Sequence, residues 1–281
     1  MAAGHDTGDA DCDVLPVVID TSKASIARVY DAFLDGKDNY EIDRQVMNDV
    51  LHIAPHSKLV AKALRRWLVR VIRYLATAGV DQFLDCGSGM PTAENTHQVA
   101  QRHNPDAVVI YVDIDPVVST YGRALLVENH RTHFVQADVR SPRALLAHPT
   151  VTEHLDFIRP IAMIQCAIMH HIDDQAQPIR IMAEYIDALP SGSFVALTHW
   201  WNPEDGGEGS ELAYRIETSF RTSSMGTGRY RTRAEIEAML AGLDLLEPGL
   251  VELDHWRPNG PAPTPRSLVE CLILGAVGRK P

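Results

Sequence analysis

The stretch Phe83-Leu-Asp-Cys-Gly-Ser-Gly-Met-Pro91 decides how this chain folds. An apolar run ends in an acid, Asp85, and passes into a Gly-x-Gly turn ahead of a helical segment. Gly87 and Gly89 have no Cβ, so the turn can be tight and a ligand can approach the backbone. Loops of this kind also bind dinucleotides, and Gly-x-Gly alone does not discriminate. Two details point away from a dinucleotide. Asp85 precedes the glycines, where a carboxylate suits a cationic or amine-bearing ligand better than a pyrophosphate. Thr92 stands where the dinucleotide pattern has its third glycine.

Downstream, short apolar runs alternate with helical stretches. After Gln82–Asp85 the runs are Val108–Asp113, His133–Gln136, Ile161–Ala167, Ser193–Thr198, Leu250–Leu253 and Val269–Ala276. Thr232-Arg-Ala-Glu235 has the capping-box spacing that opens one of the intervening helices. Strands alternating with helices imply a mostly parallel sheet covered on both faces. Asn202–Ser210 and the Pro-rich 258–265 read as surface loops. Upstream, no strand pattern precedes Gln82. Ile26, Val29, Tyr30, Phe33 and Leu34 follow helical spacing, ended by Gly36. Ile42, Val46, Met47, Val50 and Leu51 mark a second helix that stops before Pro55, and a third runs from Ser57 to about Ala78. The expected organisation is a disordered acidic tail over 1–19, a helical cap over 20–80 and an α/β domain over 81–281.

Two further acids close strands. Asp113 ends the second, where a carboxylate can accept hydrogen bonds from both hydroxyls of a ribose. Asp115, followed by Pro116, reads as the start of the next helix. Asp138 follows the third strand, where it can accept from an adenine amine while the N–H of Val139 donates to the ring. Its plainer role is to cap the helix over Ser141–Ala147. Consecutive parallel strands place Asp85, Asp113 and Asp138 on one rim, at the crevice where such sheets bind ligands.

Asp85-x-Gly87-x-Gly89 followed by Asp113 and Asp138 resembles the Rossmann-like class I S-adenosylmethionine-dependent methyltransferases. Ala167-Ile-Met-His-His-Ile-Asp-Asp174 is similar to the LHHxxD segment after their fourth strand. More narrowly, the chain resembles a bacterial S-adenosyl methyltransferase family long described as a domain of unknown function. The segments that carry this are Asp20-Thr-Ser-Lys23, Ala27-Arg-Val-Tyr-Asp31, Gly36-Lys-Asp-Asn-Tyr40, Gln82–Thr92, Asn95-Thr-His97, Tyr111–Val117, Glu247-Pro-Gly-Leu250 and Trp256-Arg-Pro258. The resemblance implies a seven-stranded sheet, six strands parallel and the last antiparallel. It implies S-adenosyl-L-methionine as cofactor, held by Asp85, Gly87, Gly89, Asp113, Ile114, Asp138 and Val139. The chain departs from the family pattern at Asp35-Gly36-Lys37, where Gly-Gly-Lys is common, at Leu64-Arg65, where Asn-Arg is frequent, and at Ala24, which replaces a proline.

Methyl transfer from a sulfonium is an in-line displacement that needs aim and exclusion of water. It needs a base only when the acceptor is a hydroxyl or a protonated amine. His170, after the fourth strand, and His199, closing the fifth beside Trp200 and Trp201, are the candidate catalytic residues. His171 ranks behind them, and a packed or capping role is the plainer reading for each. Arg28, Asp31, Lys37, Asp38 and Asn39 gather around one turn, either as a solvated helix end or as part of a cap over the site.

Composition narrows the rest. With 281 residues, 45% of them hydrophobic and 22% charged, the chain suits a soluble globular protein, expected in the cytoplasm. No apolar run approaches the length of a membrane helix, and no signal peptide is read. A formal charge of −11 argues against nucleic acid as partner and favours a small-molecule acceptor. The cysteines, Cys12, Cys86, Cys166 and Cys271, show no C-x₂-C pairing, so reduced structural thiols are expected and no metal site. Two other function classes remain: a non-catalytic S-adenosylmethionine-binding regulator and an NAD(P)-dependent oxidoreductase.

Overall fold

A computed structural model describes residues 20–92, 94–127, 129–260 and 266–281. The expected tail over 1–19 and Cys12 lie outside these residues. The first described elements are helices: α1 (Ile26–Phe33), α2 (Glu41–Ile53) and α3 (Ser57–Thr77). Strands then alternate with helices: β1 (Gln82–Cys86), α4 (Thr96–His103), β2 (Val108–Asp113), α5 (Pro116–Leu125), β3 (Thr132–Gln136), α6 (Pro142–Leu146), α7 (Pro149–His154), β4 (Ala162–Gln165), α8 (Pro178–Ala188) and β5 (Phe194–Trp200). The chain closes with α9 (Glu208–Thr222), α10 (Arg233–Ala238), β6 (Asp244–Leu245), β7 (Val251–Glu252), α11 (Leu268–Cys271) and β8 (Ile273–Arg279).

The strands form one sheet in the order β3-β2-β1-β4-β5-β8-β6, with β7 also on β8. β1 to β5 pair in parallel, and β8 runs antiparallel to β5, β6 and β7. The antiparallel last strand agrees with expectation. The described residues hold eight strands, not seven: the expected sixth, Leu250–Leu253, is the short β7, and Asp244–Leu245 adds β6 beside β8. Leu246 still donates to the Val277 carbonyl at 2.8 Å, but Gly249 turns back onto the Leu246 carbonyl, and Pro248 has no N–H to offer the ladder. A second difference falls at Val269, read from sequence as strand. Ser267 and Glu270 form a capping box, so Leu268–Cys271 is a helical turn and β8 begins at Ile273.

Successive strand residues face opposite sides, and each side has its own helices. Phe83, Val109, Tyr111 and Ile164 pack against Trp67, Val71 and Leu75 of α3. Leu84, Ile110, Val135 and Met163 pack against Ile181, Met182 and Tyr185 of α8. The third helix is therefore a sheet-covering layer. The cap consists of α1 and α2 joined by α9, with Val29, Phe33, Val46, Val50, Ile216 and Phe220 in a core of their own. Among the described residues no helix is long and apolar enough to cross a membrane.

Candidate active site

The carboxyl ends of β1 and β2, the segment after β4 and the underside of the cap enclose a cavity of about 530 Å³. That volume lies within the usual range for small-molecule and cofactor sites. Six of the nine cofactor-binding and catalytic candidates from the sequence line it: Asp85, Gly87, Gly89, Asp113, Ile114 and His170.

The glycine loop is built for close approach. Gly87 and Gly89 both adopt positive φ, +69° and +67°. A Cβ at Gly87 would meet Ile168 at 2.7 Å, whereas one at Gly89 would project into open space. The loop is tied to β2, with Gly87 and Ser88 donating to the Val112 carbonyl at 2.8 and 3.0 Å. Gly89 N–H donates to Asp113 Oδ2 at 2.9 Å, and Asp115 N–H donates to Asp113 Oδ1 at 2.9 Å. Each Asp113 oxygen keeps a lone pair for a ligand hydroxyl. Burial raises the Asp113 pKa, outweighing these backbone bonds. Burial also lifts the Asp85 carboxyl to about 6, against the Thr96 hydroxyl that donates to Asp85 Oδ2 at 2.6 Å. Arg65 of α3 and the Asp113 charge act on it more weakly. A cationic ligand beside Asp85 would return it fully to the charged form.

Ile114 is 56% exposed beside Asp113, an apolar face on the rim. Asp138 and Val139 do not line this cavity. Arg140 folds onto Asp138, its N–H and Nε reaching Oδ1 and its Nε and Nη2 reaching Oδ2, at 2.7–3.0 Å. Those four contacts take up the lone pairs an adenine amine would need. They hold the Asp138 carboxyl below its usual range although burial opposes it. Val139 lends its carbonyl to the Tyr185 hydroxyl at 2.8 Å.

The histidines separate. His199 is fully buried outside the cavity lining. Its Nε2 meets Arg231 Nη1 at 2.9 Å and its Nδ1 meets the Trp200 carbonyl at 2.7 Å. A guanidinium can only donate, so Nε2 accepts and Nδ1 carries the proton, leaving no lone pair for a base. Arg231 also bonds the Ile172 carbonyl and Asp174, which makes His199 part of a buried clamp. His170 lines the cavity but is 1% exposed, with Trp200 stacked on its ring at 3.9 Å. Its Nδ1 makes no hydrogen bond among the described residues, and burial, with His171, His199 and Arg231 adding to it, pushes its pKa well below the usual value. His171 is the more open of the pair. It lines the cavity, its Nδ1 lies 3.2 Å from Thr227 Oγ1, and burial holds its pKa down to about 3.

The cap is fastened to this rim. Asp43, with no exposed surface, accepts from Ser25 N–H at 2.9 Å, Arg28 Nε at 2.8 Å and Tyr40 N–H at 2.9 Å. Arg28 lies 3.9 Å from Asp115, and the Ser25 hydroxyl donates to the same carboxylate. Arg28 thus belongs to the cap. Asp31 accepts from Asp38 N–H and Asn39 Nδ2 and forms the turn itself. The sequence reading passed over Arg65 and Ser88. Arg65 lines the cavity and donates to the Glu94 carbonyl at 2.9 Å. Ser88 lies between the two glycines, and its buried hydroxyl has no partner among the described residues. An arginine beside Leu64 on an amphipathic helix carries no local signal of a ligand. Ser88 occupies the variable place of Gly-x-Gly.

An eight-stranded sheet with parallel β1 to β5, antiparallel β8 and an acid-flanked glycine loop at its carboxyl rim defines a class I methyltransferase architecture. The chain belongs to the S-adenosyl methyltransferase family, whose sequence profile matches residues 14–281. A proposed methyltransferase from Thermobifida fusca is 42% identical over 93% of this chain and 96% of its own, with a TM-score of 0.86. A DUF574 family protein from Streptomyces avermitilis is 34% identical over 94% of this chain and 100% of its own, with a TM-score of 0.87. An O-methyltransferase family protein from Burkholderia thailandensis, 12% identical over 86% of this chain and 60% of its own, shares the fold at a TM-score of 0.51. None of the curated proteins compared with the chain matches it.

The cavity suits the family's cofactor, S-adenosylmethionine. Its rim presents the carboxylates of Asp85 and Asp113, the open space beside Gly89, the Ser88 hydroxyl, unpartnered among the described residues, and the guanidinium of Arg65.

Proposed function

We propose that this chain transfers the methyl group of S-adenosylmethionine to a small-molecule acceptor bound beneath the cap. The observation that carries this reading is the position of Asp113. It is held on the β2 rim by Gly89 and Asp115 N–H groups, with a lone pair on each oxygen still available. In this reading Asp113 accepts from the two ribose hydroxyls and Ile114 offers its apolar face to the adenine. Asp85 balances the methionyl ammonium and Arg65 the methionyl carboxylate. Bound there, the cofactor supplies a methyl group activated by the adjacent sulfonium. The residues of the chain bind it, orient it and, through the cap, exclude water, which is the greater part of what an in-line displacement requires.

The test is calorimetric titration of S-adenosylmethionine into the wild type and Asp113→Ala, with the variant shown to be folded. Loss of a charge-assisted hydrogen bond costs about 1.5–3 kcal/mol, so affinity should fall by about 10- to 150-fold. An unchanged affinity rejects the ribose assignment.

A further inference from the structure

The cavity continues from the cofactor rim into a lobe under the cap, and the two ends differ in chemistry. Charged lining residues come from the strand ends, from the segment leading into α1, from Arg28 in the first turn of α1, where Asp43 and Asp115 face it, and from Arg65 of α3. The lining residues from α2, α9, the loop before Arg231 and α11 are Val50, Ile216, Phe220, Met225, Tyr230 and Val269, none of them charged. The nearest acid on α9, Glu217, is occupied by Arg229 and by Tyr230 N–H at 2.7 Å. A charged ligand group would lose its hydration in this lobe and find no counter-ion.

The walls are also flat. Trp200 stacks with Phe220 at 4.9 Å and with Tyr230 at 5.2 Å, and Phe33 meets Phe220 at 6.5 Å. All four rings line the cavity. Most polar atoms nearby are already used: the Tyr30 hydroxyl donates to the Ala61 carbonyl and Ser57 to the Ala54 carbonyl. Besides His170, Tyr230 and His171 bring polar groups to the lining, both in ring contact with Trp200. The Tyr230 hydroxyl has no hydrogen-bond partner among the described residues, and the His171 ring lies edge-on to Trp200 at 5.2 Å, tethered through Nδ1 to Thr227.

We propose that this lobe takes an uncharged hydroxylated aromatic molecule as methyl acceptor, its ring among the aromatic side chains and its hydroxyl on the His171–Tyr230 side. The proposal rests on the methyltransferase reading above. In the step it implies, the acceptor oxygen forms a bond to the methyl carbon. The carbon–sulfur bond breaks, and its electron pair stays on sulfur. The hydroxyl proton passes to His171, so the positive charge lost by the sulfonium reappears on the imidazole. Burial makes His171 a weak base. That favours a phenol, whose pKa is near 10, over a far less acidic aliphatic alcohol.

Three probes of one shape decide the matter: 1-naphthol, anionic 1-naphthoate and cationic 1-(aminomethyl)naphthalene. Each is titrated into protein saturated with S-adenosylhomocysteine. 1-Naphthol should bind at least tenfold more tightly than either charged probe. In Met225→Lys the preference between 1-naphthol and 1-naphthoate should move at least tenfold toward 1-naphthoate. If that variant does not fold, the wild-type series decides alone. Equal or tighter binding of a charged probe to the wild type, or no binding of any probe, overturns the proposal. Failure of S-adenosylhomocysteine to bind counts instead against the cofactor assignment, and the series run without it still reads the lobe.

Discussion

Asp85 and Arg65 face the same end of the cavity with opposite charges, and the methionyl end of the cofactor carries the complementary pair. Arg65 should therefore be felt through one group of the ligand only. Arg65→Ala is expected to weaken S-adenosylmethionine binding by about tenfold or more, the scale of a charge-assisted bond. The same substitution should change the affinity of decarboxylated S-adenosylmethionine by less than about twofold. Equal losses for both ligands would place Arg65 in the structural support of the loop through Glu94. At this scale the sequence is legible where a place in the cavity lining depends on backbone freedom and strand position, as at Gly87, Gly89 and Asp113. It is not legible where a partner decides. Asp138 looks like Asp113 in sequence, yet Arg140 occupies it. His199 ranks ahead of His171 in the sequence, yet Arg231, 32 residues away, fixes its tautomer.

The cap helices hold together through one buried carboxylate. Asp43 joins the N-cap of α2 to the start of α1 by three hydrogen bonds, one of them from the buried guanidinium of Arg28. Asp43→Ala would leave Arg28 without its closest counter-ion. Breaking such a pair should destabilise the protein by about 3 kcal/mol, measured by urea unfolding. S-adenosylmethionine affinity should fall with it, because Ser25 and Arg28 reach the rim at Asp115. A loss within 0.5 kcal/mol, by the usual scale of surface substitutions, would mean that the network is not what fastens the cap. Helices α1 to α3 were readable from apolar spacing, since each presents a stripe to a core. Strand β6 and the helical turn of α11 were not. At α11 the Ser267–Glu270 capping pair overrides an apolar run that would suit a strand, and β6, two residues long, is too short to leave a periodic signal.

Across the whole molecule, acid should act through buried imidazoles. His170, His171 and His199 all have folded pKa values below the usual 6.5, to about 3 for the last two, with burial the largest cause. The unfolded chain takes up protons at these rings below about pH 6.5 while the folded chain does not, so stability falls as pH drops from there toward 3. Asp85, raised to about 6, binds its proton in the folded state first and offsets one of the three between about pH 4 and 6. Asp113, also raised, adds to that offset and His133, lowered by burial, opposes it, so a net excess of about two protons remains, roughly 2–3 kcal/mol per pH unit, and unfolding midpoints in urea at pH 7, 6 and 5 measure it. His199→Gln should reduce that slope by about one proton, whatever its effect on stability at pH 7. A slope unchanged in the variant would mean that His199 is charged in the folded protein. By itself the sequence determined the α/β alternation, the glycine loop, the acids that end β1 and β2 and the family, because these follow from periodicity and from residues adjacent in the chain. Only the tertiary structure decided which acids and histidines reach the cavity, that α9 completes the cap while α3 covers the sheet, and that the cavity lining from α2, α9 and α11 is apolar. Each of these depends on side chains from distant segments meeting in a buried space, where a single partner can satisfy a polar group or leave it open to a ligand.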